Sequence, residues 1–319
     1  MPLFLTERDV REILTMEIAL EEVEKSFVLL TQGQNVNSPR HRLSVPSGHL
    51  NFMTASAPDS GAIGHKTYAA IRGQAIPFYI DLYDSSTGKL ISLIEASYLG
   101  QIRTGAATGV ATKYMSREES ETVAIIGSGY QARTQLEAVC KVRNIKSARV
   151  YSRNEDKREK YAKRMTEKLG IPVEAYKDGR SCVNGADIVI TITSSPRPVL
   201  EGEWLSSGTH INAAGGNHWM RREIDDEVII KSDPIVVDDI EQAKIECGDI
   251  LSAIEKGNTG WQHVRNFSEI VNGTYDGRPD KESITLFESQ GLAIQDVCVG
   301  KAVYEAALNL GIGQKIFSD

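Results

Sequence analysis

The stretch TVAIIGSGYQARTQLEAVCKV, residues 122–142, constrains the fold of this chain more than any other. A short apolar, β-branched run leads into a glycine turn, and apolar residues then recur at helical spacing. In the turn, Gly127, Gly129 and Ala132 stand in a GxGxxA arrangement. The first glycine permits a tight turn, the second lets the backbone approach a pyrophosphate, and the third small residue lets the helix pack closely on its strand. Amides at the helix start would face the phosphates, so Gly127, Ser128 and Gly129 are expected to bind a dinucleotide. A glycine turn after a buried strand is common in itself. Here the preceding strand, the helix and the next strand all agree.

The alternation continues with the strand SARVYS, the helix EDKREKYAKRMTEKLG, a short PVEAY, a helix near Ser181 and the strand DIVITIT. Further strands are expected at HINAAG and PIVVDD, with helical stretches near 239–244 and 249–257. Such alternation predicts an α/β fold, a doubly wound parallel sheet of the Rossmann class with helices on both faces. The second strand ends in VYSRNEDKR, where an NAD-preferring site usually places an acid on the adenosine ribose. No acid stands there. Ser152, Arg153 and Asn154 offer donors to a 2′-phosphate, with Lys157 and Arg158 close behind, so NADP(H) is the expected cofactor and NAD(H) the alternative. A solvated basic helix start would look the same. Thr193 and Ser194, after DIVITIT, fall where such sheets line their cofactor crevice, although both are also ordinary turn residues.

The residues before the glycine loop have a different texture. Thr6 can cap ERDVREILT, and a second helix, MEIALEEVEKSFVLLTQG, carries Ile18, Val23, Phe27 and Leu30 on one side and stops at Gly33. From 43 to 94 the short runs HLNFMTAS, IGHKTYAAI, PFYIDLYD and KLISLIEA predict a sheet-rich region, the last two joined by the hairpin signal SSTG. ASYLGQIRTGAATGVATKYM then reads as a helix of small residues, and SREES as a polar break at which a domain could end. The last segment, GLAIQDVCVGKAVYEAALNLG, has helical texture and is read as packing back on the first domain. A chain of 319 residues has room for two domains of ordinary size.

Charge and cysteine usage narrow the partners. With 36 Lys and Arg against 43 Asp and Glu, and no dense basic run, a small molecule is expected as ligand and nucleic acid is not. No apolar run approaches the roughly 18–20 residues of a bilayer span, so no membrane partner is expected. The start, MPLFLTERDV, has early acids and no signal-peptide core, which points to a cytoplasmic protein. Cys140, Cys182, Cys247 and Cys298 are scattered without a CxxC pair, and the histidines form no HExxH or HxH. No metal or disulfide framework is expected, and the cysteines read as buried small hydrophobes. Cations stand out in apolar or small-residue surroundings: Arg40 and Arg42 in SPRHRL, Lys66 in IGHKTYAA, and Arg103 in LGQIRTGAA. Arg103, among Gly100, Gly105, Ala106 and Ala107, has little reason to be there unless an anion approaches. Lys66 lies in a sheet-like run where its pKa can shift to suit proton transfer, although a lysine snorkelling from an edge strand has the same signature.

Taken together, PR, GHK, YDSSTGKLISLIEAS, QIRTGAATGVATKYM, IIGSGYQARTQLEA, INAAGGNHWMRREID and GLAIQDV resemble the ornithine cyclodeaminase/mu-crystallin family nearly end to end. The resemblance implies a homodimer. Its discontinuous domain, residues 1–118 and 291–319, would bind substrate and dimerise, and a Rossmann domain at 119–290 would hold NAD(P). It further implies that Arg40, Lys66 and Arg103 gather around a substrate α-carboxylate, with Arg42 as a substitute for Arg40. Two guanidiniums can clamp a carboxylate while an ammonium beside the α-nitrogen protonates or polarises an imine, which makes Lys66 the expected catalytic residue. Arg103 and Thr104 would also meet the cofactor, as would Tyr130, Gln131 and Ala132 from the loop.

Two departures from the family pattern bear on the reaction. Ornithine-cyclising members carry an acid just after the GG of the NAxGG block and another two positions before the M of an earlier strand, where this chain has Asn217 and Asn51. Asparagine can hydrogen-bond an amine but cannot act as a general base, so ornithine cyclodeamination is disfavoured and Asn217 is expected to bind substrate. The expected function is NAD(P)H-dependent interconversion of α-imino (ketimine) and α-amino acids, such as reduction of pyrroline-2-carboxylate. The alternatives, in order, are an alanine-dehydrogenase-like enzyme, an ornithine cyclodeaminase, and a mu-crystallin-like NADPH-dependent ligand-binding protein. His218 and Trp219 receive no role from the sequence.

Overall fold

The computed structural model describes residues 1–316, and the chain divides into two compact units: Met1–Arg103 with the stretch from Leu292 onward, and Thr104–Gly291. The division falls inside a helix, between Arg103 and Thr104, rather than at the polar SREES break.

The first unit runs β1 (Leu3–Leu5), α1 (Glu7–Ile13), α2 (Met16–Leu29), β2 (Val36–Val45), β3 (Gly48–Ala57), β4 (Ala62–Ile71), β5 (Phe78–Asp84), β6 (Leu90–Glu95) and the start of α3 (Ser97–Met115). Thr6 caps α1 in a capping box with Asp9, which satisfies two amides the helix start would otherwise leave bare. The SSTG hairpin closes around Asp84, whose Oδ1 accepts from the amides of Ser86 and Thr87. Two departures from the sequence reading concern ends: α2 stops at Leu29, short of Gly33, and the sheet begins at Val36 rather than at 43.

The second unit continues with β7 (Thr122–Ile126), α4 (Ala132–Val142), β8 (Ser147–Tyr151), α5 (Glu155–Leu169), β9 (Val173–Ala175), α6 (Gly179–Val183), β10 (Ile188–Thr191), β11 (His210–Ala213), α7 (Asp226–Lys231), β12 (Ser232–Val237), α8 (Ile240–Glu246), α9 (Gly248–Glu255), β13 (Val264–Asn266), α10 (Phe267–Val271) and β14 (Ile284–Glu288). The chain then returns to the first unit with α11 (Ala293–Leu310) and β15 (Gln314–Lys315).

In the first unit the strand order is β15-β1-β6-β5-β4-β3-β2, antiparallel except for the β1–β6 pair. The two short strands at one edge escape sequence reading because three and two residues are too few to show a period. Helix α11 covers one face, burying Met53, Ala55, Ile80 and Leu82, and α2 packs against α11. Lys66 pairs in register with Met53 and Ile80, so strand alternation turns it toward this covered face. Val36, Leu43, Val45, Ile63 and Tyr79 remain exposed on the strands.

The second unit's sheet has eight strands, all parallel, in the order β13-β12-β14-β11-β10-β7-β8-β9. This is the Rossmann-type doubly wound fold, with β13 and β14 as strands that the sequence did not announce. Alternate residues of β7 feed opposite faces: Val123 and Ile125 join one apolar cluster, Ala124 and Ile126 the other. From β7 the chain steps outward through β8 and β9, then crosses to the other side of β7 as β10. Such a reversal opens a crevice at the strand C-termini, where ligands of this fold bind. Three of the cysteines are buried, whereas Cys140 is only partly so, contrary to its reading as a core residue. No helix among the described residues is long and apolar enough to cross a membrane.

Candidate active site

The crevice at the strand reversal has a volume of about 540 Å³ and is walled by the 126–129 turn, the 151–154 turn and the segment after β10. Gly127 adopts φ +124°, and a Cβ there would lie 2.3 Å from the carbonyl oxygen of Ile192. Only glycine fits both conditions. A Cβ on Gly129 would meet nothing within 4 Å, so the turn is open on the side where a phosphate would approach. Ala132 is buried at the first position of α4, and Tyr130 and Gln131 precede it. Tight backbone, open space and a helix start suit a pyrophosphate.

At the end of β8 the side chains are partly committed. Ser152 shares a 2.8 Å hydrogen bond with Ser128, and Asn154 caps α5 by accepting from the Lys157 amide at 2.8 Å. Arg153 is exposed at the crevice wall. Arg158, expected beside these donors, instead turns into the unit: it is buried and donates to the Ser152 carbonyl and to Glu155. Its helical position, one residue past Lys157, rotates it away from the crevice.

Thr193 and Ser194 line the same crevice, and their segment is braced by a residue the sequence reading passed over. The buried Glu223 carboxylate accepts from the Thr193 amide at 2.5 Å, the Gly215 amide at 2.7 Å and the Thr191 hydroxyl at 2.9 Å. It thereby joins the loops that follow β10 and β11. Burial raises its pKa, and the amide and hydroxyl donors oppose the rise. Asp249 anchors the bracing segment by accepting from the Glu223 and Ile224 amides, and burial pushes its own carboxyl up to about 7. Asn217 is half-buried in the loop after β11, in the second unit. His218 stacks on Trp219, which is exposed and fills no core. Thr104 opens the second unit, and its carbonyl accepts from Gln135 at 3.2 Å. Among the described residues no group of His, Cys, Asp or Glu is arranged to hold a metal.

In the first unit the cations of the sequence reading come together. Arg40, Lys66 and Arg103 are all buried. Lys66 Nζ lies 2.5 Å from Asp296 Oδ2, and Arg103 Nε lies 2.9 Å from Asp296 Oδ1. Arg103 also donates to Gln295 Oε1 at 3.2 Å. Asp296 and Gln295 stand in the first turn of α11, where the helix crosses the covered sheet face. Lys66 is therefore no snorkelling edge residue: β4 is an interior strand, and the side chain is 2 % exposed. Burial pushes its pKa down to about 7. The charges of Arg103 and Arg40 add to the drop and Asp296 opposes it. Arg40, not its substitute Arg42, is the buried guanidinium that acts on Lys66. Asn51 lies on the same covered face, fully buried, with its Oδ1 accepting no hydrogen bond. Asp296, in the QDV of the family-like block GLAIQDV, is a functional residue that the sequence does not announce. A lone Asp in a helix gives no local sign that its partner is a lysine 230 residues away.

The fold and these residues define a chain whose second unit is a Rossmann-type dinucleotide-binding fold and whose first unit is built around a buried lysine, arginine and aspartate. The sequence pattern of the ornithine cyclodeaminase/mu-crystallin family matches residues 1–311, and the chain belongs to that family. It is 38% identical to an alanine dehydrogenase of Archaeoglobus fulgidus over 98% of both chains. It is also 38% identical to a Delta(1)-pyrroline-2-carboxylate reductase of Bacillus cereus, over 81% of this chain and 77% of that protein. Among solved structures, the Thermococcus litoralis Delta(1)-pyrroline-2-carboxylate reductase in complex with NADH and L-proline superposes with a TM-score of 0.94 at 37% identity, covering 98% of this chain and 100% of the other.

Proposed function

We propose that the protein is an NAD(P)H-dependent oxidoreductase that interconverts α-imino and α-amino acids, with a cyclic ketimine such as pyrroline-2-carboxylate as substrate. The single observation that carries this reading is the buried Lys66–Asp296–Arg103 cluster. When bound, the dinucleotide supplies or accepts a hydride. The chain's own residues do the rest. Arg40 and Arg103 hold the substrate α-carboxylate, because guanidiniums match it with paired, charge-assisted hydrogen bonds. Lys66 gives its proton to the imine nitrogen during reduction and takes it back during oxidation. A pKa of about 7 suits both directions near neutrality. Asp296 keeps Lys66 protonatable against burial and against the neighbouring arginines. The unsatisfied Asn51 Oδ1, on the same covered face as Lys66, is a neutral polar contact for the substrate and lacks the charge that a second substrate ammonium would need; by the family resemblance Asn217 would be a further neutral contact.

The glycine turn would hold the pyrophosphate, with Thr193 and Ser194 lining the nicotinamide side and Arg103 and Thr104 contributing to the cofactor. NADP(H) is the preferred cofactor because no acid ends β8. The exposed apolar residues on the first unit's strands support a homodimer, which sedimentation of the intact protein tests. The four free thiols suit a cytoplasmic setting.

The second reading is an alanine dehydrogenase, favoured by the 38% identity to the Archaeoglobus protein. Dinucleotide oxidation measured with pyrroline-2-carboxylate, with pyruvate plus ammonia, and with ornithine as the control separates the two. Preferred turnover of pyruvate plus ammonia selects the second reading, and rapid ornithine turnover defeats the assignment of Asn217. A binding-only role is tested by Lys66→Ala: a storage protein has no turnover to lose, whereas the enzyme loses turnover and keeps its cofactor affinity.

A further inference from the structure

A second hollow, of about 480 Å³, lies within the second unit and shares no residue with the crevice. The eight strands of this unit are parallel and the crevice sits at their C-terminal ends, whereas the hollow is lined by Asp233 near the start of β12 and by residues leading into the edge strand β13. Arg265 of β13 is half-buried there, its guanidinium carbon 4.7 Å from the centre of the Tyr275 ring. The ring attracts the cation but offers it no oxygen. Arg265 donates no hydrogen bond and pairs with no carboxylate among the described residues. Its Nε is also shut off from water, a cost that a counter-ion at the terminal nitrogens would offset. Asp233 lines the same space and likewise has neither a cation nor an amide donor on its carboxylate among the described residues. The lysines adjoining the hollow along the chain are engaged elsewhere, Lys231 by Glu227 and Lys256 by Asp226. Arg117, Arg158 and Arg222 of this unit all find carboxylates, so an unpaired arginine and an unpaired aspartate in one hollow are exceptional. Register keeps the two from meeting: Val236 pairs with Arg265, and Asp233 comes three positions earlier, roughly 10 Å back along the sheet.

We propose that this hollow binds a free α-amino acid with an uncharged side chain, Arg265 taking its carboxylate and Asp233 its ammonium. A simple anion would be repelled by Asp233, and a simple cation by Arg265. A zwitterion satisfies both at once, and its carboxylate can take paired, charge-assisted hydrogen bonds from the guanidinium. Asn258 and Gln262 supply uncharged donors and acceptors for the remainder of the molecule. The lining holds no further carboxylate, lysine or arginine, so a charged ligand side chain would find no fixed counter-charge. The proposal concerns a second site at the opposite end of the sheet and stands whether or not the crevice holds a dinucleotide.

Hydrogen–deuterium exchange of the intact protein, titrated with L-glutamine, L-alanine and L-proline, tests the site without relying on turnover. At least one of the three should slow amide exchange over 257–265 in the wild type. The α-amide of that amino acid, which lacks the carboxylate, and its N-acetyl derivative, which lacks the ammonium, should need higher concentrations for the same slowing. Arg265→Gln should raise the concentration required by about tenfold to a hundredfold. Asp233→Asn, at an exposed position, should raise it by about fivefold. Circular dichroism checks the fold of both variants, and Asp233→Asn alone carries the test if Arg265→Gln unfolds. No slowing in the wild type with any of the three overturns the proposal. Equal slowing by the amide or the N-acetyl derivative overturns it too. Slowing that persists at wild-type concentrations in a folded variant shows that the amino acid acts from another site, and overturns it as well.

Discussion

Asp296→Asn removes the carboxylate that touches Lys66 at 2.5 Å and Arg103 at 2.9 Å while preserving its shape. Two unit charges about 4 Å apart attract by roughly 4 kcal/mol at the effective dielectric of about 20 suited to protein sites. At about 1.4 kcal/mol per pKa unit, full loss of that attraction lowers the Lys66 pKa by roughly three units. The amide oxygen of the new asparagine can still accept from Lys66, so a fall of about one to three units is expected. Lys66 starts near 7. Reduction consumes the protonated lysine, so kcat/KM for pyrroline-2-carboxylate should decline as pH rises through that value, and the variant's decline should begin about one to three pH units lower. The assay is dinucleotide oxidation followed over about pH 3.5 to 9 for wild type, Asp296→Asn and Lys66→Met, so that titration of the substrate itself is common to all three. Lys66→Met should erase the limb and lower kcat by about 10²- to 10⁴-fold. A limb that stays in place in Asp296→Asn, or survives in Lys66→Met, would refute the assignment of the proton to Lys66. Because breaking a buried ion pair costs about 3–5 kcal/mol, the variant's fold is checked by circular dichroism at each pH.

Three further outcomes follow from the second unit. Gly127→Ala forces a Cβ to within 2.3 Å of the Ile192 carbonyl oxygen at a φ of +124°. Strain of about 1–3 kcal/mol should then weaken NADPH binding by roughly tenfold or more in a fluorescence titration, and an unchanged Kd would remove this turn from the cofactor site. Glu223→Gln sets an amide N–H against the Thr193 or Gly215 amide, costing about 1–3 kcal/mol in urea unfolding and loosening the crevice segment. Equal stability and equal cofactor affinity would show that the two loops are held by other means. His210 is buried beside Thr285, and burial pushes its pKa down from 6.5 to about 3. Between those values the unfolded chain binds a proton that the folded chain refuses, so this contribution is complete above the unfolded pKa and declines as pH falls toward the folded one. The stability difference between wild type and His210→Gln should therefore change by about 1.4 kcal/mol per pH unit across that window, and a difference independent of pH contradicts the shift.

How much of the molecule could be read from the chain alone depends on the distance over which each feature is encoded. The dinucleotide turn was legible because its requirements are local: a glycine at positive φ, a second glycine facing open space, and a helix start lie within six residues from Gly127 to Ala132. Thr6 as a cap and SSTG as a hairpin are equally short-range. The marginal strands β1, β13 and β15 have two or three residues each and carry no period; hydrogen bonding to partners in place makes them strands.

The site followed the same rule. Sequence by itself determined the α/β class, the nucleotide turn and the presence of cations in apolar company, since glycine stereochemistry, helix capping and hydrophobic period act between near neighbours. Only the tertiary structure decided that Lys66 faces the helix-covered side of an interior strand, that Asp296 meets it and Arg103 together, that Arg158 turns inward, and that Glu223 braces two loops. The ionisation of a buried group depends on its loss of water and on the charges set against it, and distant segments supply both only once the chain has folded.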